Sequence, residues 1–203
     1  MMPVLILAAG ASSRMRGTDK LLLDVDGMPL LRRQACMALE ASGDVRIALP
    51  PRPHERYDVV DDLRVQPVEV TDAAHGMSAS LRALFATLEP ENTYAMVLLG
   101  DLPDLNTGDL RAIMRATHEV PDAMIWRGAT QTGKGGHPMI VARPLFSEFQ
   151  TLSGDSGGNS IAANLGQAVH LVPLTGNRAR QDLDTPEDWA AWRANRSTSD
   201  APR

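Results

Sequence analysis

Short runs of β-branched and leucine residues alternate with amphipathic stretches along nearly the whole chain, the pattern of a sheet covered by helices on both faces. The pattern predicts strands over residues 4–8, 45–49, 65–70, 95–99, 123–126, 138–141 and 170–174, several apolar throughout, as strands buried on both faces must be. Helices are predicted to begin near Pro29, His54, Met77, Asn106, Pro144, Ser156 and Pro186. Asn106 stands three residues before Asp109, and Thr185 is followed by Pro186 and Asp188, so both helices carry start signals that satisfy otherwise orphaned backbone N–H groups. Gly43 is placed to end the first long helix. From Arg193 onward the chain has no apolar face, so residues 193–203 are expected to form a frayed or flexible tail behind a single domain of residues 1–192. The fold class expected is α/β: a three-layer α/β/α sandwich around a Rossmann-like, mostly parallel sheet.

Composition narrows the chemistry. With 203 residues, 43% of them hydrophobic, the chain can bury a substantial core. The formal charge of −5 offers no basic field for nucleic acid, so an anionic ligand has to be held locally. Cys36 is the single cysteine, which excludes an internal disulfide, and none of His54, His75, His118, His137 and His170 pairs with it at zinc-ligand spacing. A reducing cytoplasm fits. The apolar run 4–9, without a basic segment before it, is expected to be a buried strand, being too short for a signal peptide or a membrane span. Cys36 among Ala35, Met37, Ala38 and Leu39 reads as an inert buried thiol, and Trp189 and Trp192, three apart, as packing partners.

The run Leu7-Ala8-Ala9-Gly10-Ala11-Ser12-Ser13-Arg14-Met15-Arg16-Gly17-Thr18-Asp19-Lys20 gathers small residues, hydroxyls and three cations just past the carboxyl end of an apolar strand, where open α/β sheets bind ligands. Small residues let backbone N–H groups approach phosphate oxygens, and fixed cations offset their charge, so the loop suits a triphosphate. Neither Gly-x-x-x-x-Gly-Lys-Ser/Thr nor Gly-x-Gly-x-x-Gly occurs, which argues against a P-loop enzyme and a dinucleotide-dependent oxidoreductase. Met96 to Leu99 lead into Gly100-Asp101-Leu102-Pro103, a strand that delivers one hard oxygen ligand at its end, as Mg²⁺ requires when it also bridges substrate phosphates.

The first loop resembles the signature of the molybdopterin nucleotidyltransferases, the MobA-like NTP transferases, which read Leu-Ala-Ala/Gly-Gly-x-Ser-x-Arg-Met-Gly-x-x-Lys; Arg16 stands where the family usually has glycine. Gly100-Asp101-Leu102-Pro103 resembles the family's Leu-Gly-Asp-Met-Pro element, and Asp182-Leu183-Asp184-Thr185-Pro186-Glu187-Asp188 its Asp-Ile-Asp-Thr-Pro-Glu-Asp close. His75-Gly76-Met77-Ser78-Ala79-Ser80-Leu81 resembles an element of the cytidylyltransferase branch, and Gly133-Lys134-Gly135-Gly136-His137-Pro138 a loop near the family's acceptor pocket. The segment Gly154 to Asn159 aligns with Gly-Asp-x-Gly-Ala-Arg, with Gly158 and Asn159 in place of alanine and arginine.

The resemblance implies a fold of the nucleotide-diphospho-sugar transferase type and the following roles. Arg14 and Lys20 are the catalytic cations on the triphosphate; Leu7, Ala8, Ala9, Gly10, Gly76, Ser78 and Ser80 contact the nucleotide; Gly135, Gly136, His137 and Asp155 face the acceptor; Asp101 and Asp184 bind Mg²⁺, for which Mn²⁺ can substitute. The partners implied are CTP or GTP, with CTP favoured by Leu-Ala-Ala-Gly and the Gly-Met-Ser-x-Ser-Leu element, and molybdopterin or the molybdenum cofactor. Transient contact with a molybdoenzyme or its chaperone follows; nucleic acid and membrane do not. A guanylyltransferase, a sugar- or polyol-phosphate nucleotidyltransferase and a non-catalytic nucleotide-binding cofactor chaperone stay open as alternatives.

Overall fold

The computed structural model describes residues 1–73, 76–153 and 157–199. Its strands are β1 (Val4–Leu7), β2 (Asp24–Val25), β3 (Met28–Pro29), β4 (Val45–Leu49), β5 (Gln66–Glu69), β6 (Tyr94–Leu99), β7 (Ile125–Ala129), β8 (Gly135–Ala142) and β9 (Val169–Pro173). The helices are α1 (Leu30–Ala41), α2 (Met77–Phe85), α3 (Thr107–Glu119), α4 (Phe146–Gln150), α5 (Gly158–Leu165) and α6 (Pro186–Ser199). Seven strands form one sheet in the order β5-β4-β1-β6-β8-β7-β9, while β2 and β3 make a separate small ribbon. Neighbours pair in parallel except where β8 runs antiparallel to both β6 and β7. β1, β6 and β7 therefore deliver their carboxyl ends to one rim, and β1 sits beside β6 there.

Alternation along the strands splits the core into two layers. Val4, Ile6, Met96, Leu98 and Trp126 pack on one face with Leu30, Leu31, Leu110 and Ile113 of α1 and α3. Leu5, Val97, Ile125 and Met139 face the other way, toward Leu81, Leu84 and Phe85 of α2, Phe149 of α4 and Ile161 of α5. Phe85 stacks on Phe149 at 4.5 Å between centroids, which ties α2 to α4. The three-layer sandwich read from the sequence is the observed architecture.

The local signals hold at α3, where Asn106 and Asp109 form a reciprocal capping box, and at Gly43, whose φ of 80° takes the left-handed turn after α1. Trp189 and Trp192 meet edge to face at 5.7 Å. A helix does begin at Pro144, as one 3₁₀ turn, Arg143–Leu145, that runs into the five residues of α4 with Phe146 and Phe149 in the core. Three local expectations need correction. The helix expected near His54 is a series of turns closed by bonds from Tyr57 N to His54 O and from Val60 N to Tyr57 O, in a segment broken by Pro50, Pro51 and Pro53. Cys36 is half-buried rather than enclosed. The stretch expected to fray from Arg193 begins as helix, with the Arg193 and Arg196 guanidiniums over the rings of Trp189 and Trp192 and Arg196 paired to Asp26.

Candidate active site

The chain leaves β1 at Leu7 and folds into a loop with two left-handed residues, Ser12 at φ 50° and Arg16 at φ 54°. Gly17 follows at φ 93°, so the turn that the family pattern places on a glycine falls across Arg16 and Gly17 together. Arg16 itself reaches an exposed ion pair with Glu187 of α6 at 2.7 Å, a contact that contributes little in water. Asp19 then caps a short 3₁₀ turn, Lys20–Leu22, by accepting from Leu21 N at 3.0 Å.

That cap aims Lys20 at the rim between β1 and β6. Lys20 Nζ donates to Asp101 Oδ2 at 2.5 Å and to Asp184 Oδ1 at 2.6 Å, and Arg14 pairs with the other oxygen of Asp184 at 2.8 Å. The Lys20 side chain is 14% exposed against 69% for Arg14, so one cation is fixed and the other is free to follow a ligand. Burial alone would lower the Lys20 pKa; the two carboxylates override it and hold the ammonium charged above its ordinary range.

Asp101 sits in a turn pinned from three sides. Gln34 of α1, fully buried, donates to Leu102 O at 2.8 Å; Leu183 N donates to Asp101 O at 3.3 Å; and Trp192 of α6 donates to Asp104 at 2.9 Å. Gly100 fits because a Cβ there would stand 3.0 Å from Leu7 O. Asp101 Oδ1 is buried and has no partner, which leaves an oxygen available to a cation. Among the described residues no three or more His, Cys, Asp or Glu side chains form a metal cage, so a divalent ion here would draw on Asp101 and Asp184 and would need water and phosphate for the rest of its shell, the habit of Mg²⁺.

A cavity of about 430 Å³ opens over this rim. Leu7, Ala8, Ala9, Gly10, Arg14, Lys20, Gly76, Ser80, Asp101 and Asp184 all line it, so most of the residues singled out in the sequence come together. Ser78 does not; it is fully buried in α2 beside Arg82. Asp182 lines the cavity and went unnoticed in the sequence, although its spacing of two from Asp184 puts both carboxylates on one side of an extended segment. Burial raises its carboxyl pKa, helped by the charges of Asp101 and Asp184. A second cavity of about 570 Å³ adjoins the first, sharing Ala9 to Ser13 and Ala73 and bounded by Asp19, His54 and Arg56. Arg56, also missed, is 1% exposed and holds the loop from behind.

Gly135, Gly136 and His137 lie on β8, outside the lining of either cavity. The structure supplies its own reason for the glycines: a Cβ at Gly136 would stand 1.9 Å from Ala179 O, and one at Gly135 2.9 Å from Arg127 Nε. His137 faces the Val97 carbonyl at 3.4 Å, and burial, with Arg127 nearby, pushes its pKa down to about 4. Asp155 lies outside the described residues, as does His75. Asn159 accepts from Arg127 at 2.9 Å, and Arg127, 8% exposed, pairs with no acid among the described residues; burial and then Arg180 lower its pKa.

The model of the MobA-like NTP transferase domain matches residues 4–169. The chain belongs to that family. This MobA-like protein is 32% identical over 192 residues to a protein of Synechococcus elongatus named "Probable molybdenum cofactor guanylyltransferase", an alignment covering 92% of this chain and 95% of that one. Rv0371c from Mycobacterium tuberculosis superposes with a TM-score of 0.80 at 26% identity over 94% of this chain and 96% of its own. The same protein has been solved in complex with manganese, with a TM-score of 0.77 at 25% identity over the same shares of both chains. The MobA-like protein is thus a nucleotidyltransferase on a nucleotide-diphospho-sugar transferase type of fold.

Proposed function

We propose that the chain transfers a nucleoside monophosphate from a nucleoside triphosphate to the phosphate of molybdopterin or the molybdenum cofactor, releasing pyrophosphate. The observation that carries this reading is Lys20 held between Asp101 and Asp184 on the rim beneath the Leu7-to-Arg14 loop. The cavity sets three carboxylates, Asp101, Asp182 and Asp184, against Arg14 and Lys20. Bound beside them, a divalent cation would offset that deficit of positive charge. The partnerless Asp101 Oδ1 with Asp184 would hold Mg²⁺, or Mn²⁺ in its place, which supplies charge stabilisation at the phosphates.

The nucleophile is a phosphate monoester oxygen, largely ionised near neutral pH because its second pKa is about 6, so no general base is required. It attacks the α-phosphorus in line; the new P–O bond forms as the bond to the bridging oxygen of the β-phosphate breaks, and pyrophosphate carries away the charge. Lys20 and Arg14 stabilise that charge as it builds, which makes positioning and electrostatics the work of the site. Leu7 to Gly10, Gly76 and Ser80, which line the cavity, serve the nucleotide.

Leu-Ala-Ala-Gly and Gly-Met-Ser-x-Ser-Leu favour CTP as donor; the guanylyltransferase name carried by the 32% identical relative favours GTP as the second reading. Offering CTP, GTP, ATP and UTP separately with Mg²⁺ and molybdopterin, and following pyrophosphate, tests both. Release with CTP alone supports the first reading, release with GTP the second, and release with neither sinks the proposed acceptor. Transfer of the product to a molybdoenzyme or its chaperone in the cytoplasm completes the reading.

A further inference from the structure

Arg56 stands 37 or more residues along the chain from every part of the phosphate loop it touches, yet its guanidinium makes four hydrogen bonds there. Nη1 donates to Ala8 O at 2.6 Å where the chain leaves β1, and Nη2 to Ser12 Oγ at 3.1 Å in mid-loop. Nε and Nη2 form a fork onto the two oxygens of Asp19 at 2.7 and 2.8 Å where the loop ends. Asp19 in turn accepts from Leu21 N and so caps the turn that aims Lys20. One planar group thereby fixes the entrance, middle and exit of the loop, with Ser12 held in a left-handed conformation that its side chain does not favour on its own.

We propose that Arg56 is a positioning residue: through Asp19 it keeps the loop and Lys20 in the triphosphate-receptive arrangement before the nucleotide arrives. The inference rests on the loop's role as triphosphate cradle. It adds that the cradle's shape is set from the segment after β4. Burial would raise the Asp19 carboxyl, but the Arg56 guanidinium more than offsets it and keeps the group ionised. Without Arg56, that carboxylate would stand unpaired beside the phosphates and the loop would sample other shapes, so apparent affinity would fall by the fraction of loops still receptive.

The test titrates the full-length protein and Arg56→Lys with CTP and with GTP in the presence of Mg²⁺, alongside hydrogen exchange of the ligand-free proteins and circular dichroism. Lysine keeps the charge but not the fork. We expect folded protein, roughly tenfold weaker triphosphate binding, faster exchange confined to amides 10–21, and turnover at saturating triphosphate reduced much less than affinity. Arg56→Ala is expected to lose more, and adding Asp19→Asn to recover part of that loss by removing the unpaired charge. Equal affinity and unchanged loop exchange in folded Arg56→Lys would overturn the proposal. Should wild type bind neither triphosphate, the functional reading fails, and loop exchange alone still decides whether Arg56 sets the loop. If Arg56→Lys does not fold, Asp19→Asn is read by the same two measurements, with the same results expected and the same results overturning the claim.

Discussion

The loop after β1 and the start of β8 share a vocabulary of glycine and cations and use it in opposite ways. At Gly10 an added Cβ would meet nothing within 4 Å, and the space beyond is the cavity; at Gly136 it would strike backbone at 1.9 Å. One glycine leaves room for a ligand and the other leaves room for the protein. The charges differ as well. Every fixed cation at the first loop rests on a carboxylate, Lys20 on Asp101 and Asp184 and Arg56 on Asp19, so neither cation stands unpaired before a phosphate enters. On the β8 side Arg127 rests on a carbonyl and an amide, and His137 is driven toward neutrality. A residue type in a motif does not disclose its task; the free volume and the paired charge around it do.

The largest effect that separates the two regions belongs to the carboxylate-lysine centre. Asp101→Asn and Lys20→Ala should each lower turnover by roughly two to three orders of magnitude with little change in melting temperature, since each removes an electrostatic stabiliser from a cavity wall. Retained turnover in either folded variant would place the chemistry elsewhere. Gly136→Ala should instead destabilise the fold by about 3 kcal/mol, read by denaturant titration, because strand and backbone must part to admit the methyl. Gly10→Ala should leave stability unchanged and weaken triphosphate binding; if the two glycine variants behave alike, the contrast between the regions fails.

A third difference appears with pH. The His137 pKa in the fold, about 4, lies below the ordinary 6.5, so the unfolded chain binds the proton more readily. Its contribution to stability is complete above pH 6.5 and lost as pH falls toward 4, a change of roughly 3 kcal/mol that His137→Gln should flatten in melts across that range. The smallest effect lies outside both regions. Asn106→Ala removes one half of the capping box of α3 and should cost about 1 kcal/mol of stability without altering nucleotide binding.

Much of this was legible in the chain before its fold. Apolar runs placed all seven strands of the main sheet to within a few residues, the five inner ones because strands buried on both faces leave a continuous signal, and the first loop and Asp101 declared themselves by following such strands. The segment after β4 did not. Its prolines hid a set of turns that periodicity read as helix, and Arg56 carries no motif, since its role exists only through contacts with Ala8, Ser12 and Asp19, 37 to 48 residues away. Asp182 was readable from its spacing to Asp184 but was overshadowed by its neighbour. Ser78 looked like a ligand contact beside a glycine, whereas the pitch of α2 turns it into the core and Ser80 toward the cavity.

The central claim is that the Lys20–Asp101–Asp184 centre transfers a nucleotidyl group, and the fate of a label decides it most directly. With Mg²⁺, molybdopterin and CTP or GTP labelled at the α-phosphorus, the account predicts label in the pterin-linked product, unlabelled pyrophosphate in equal amount, and neither with Asp101→Asn. Label remaining in free nucleotide, or transfer undiminished in folded Asp101→Asn, would contradict it.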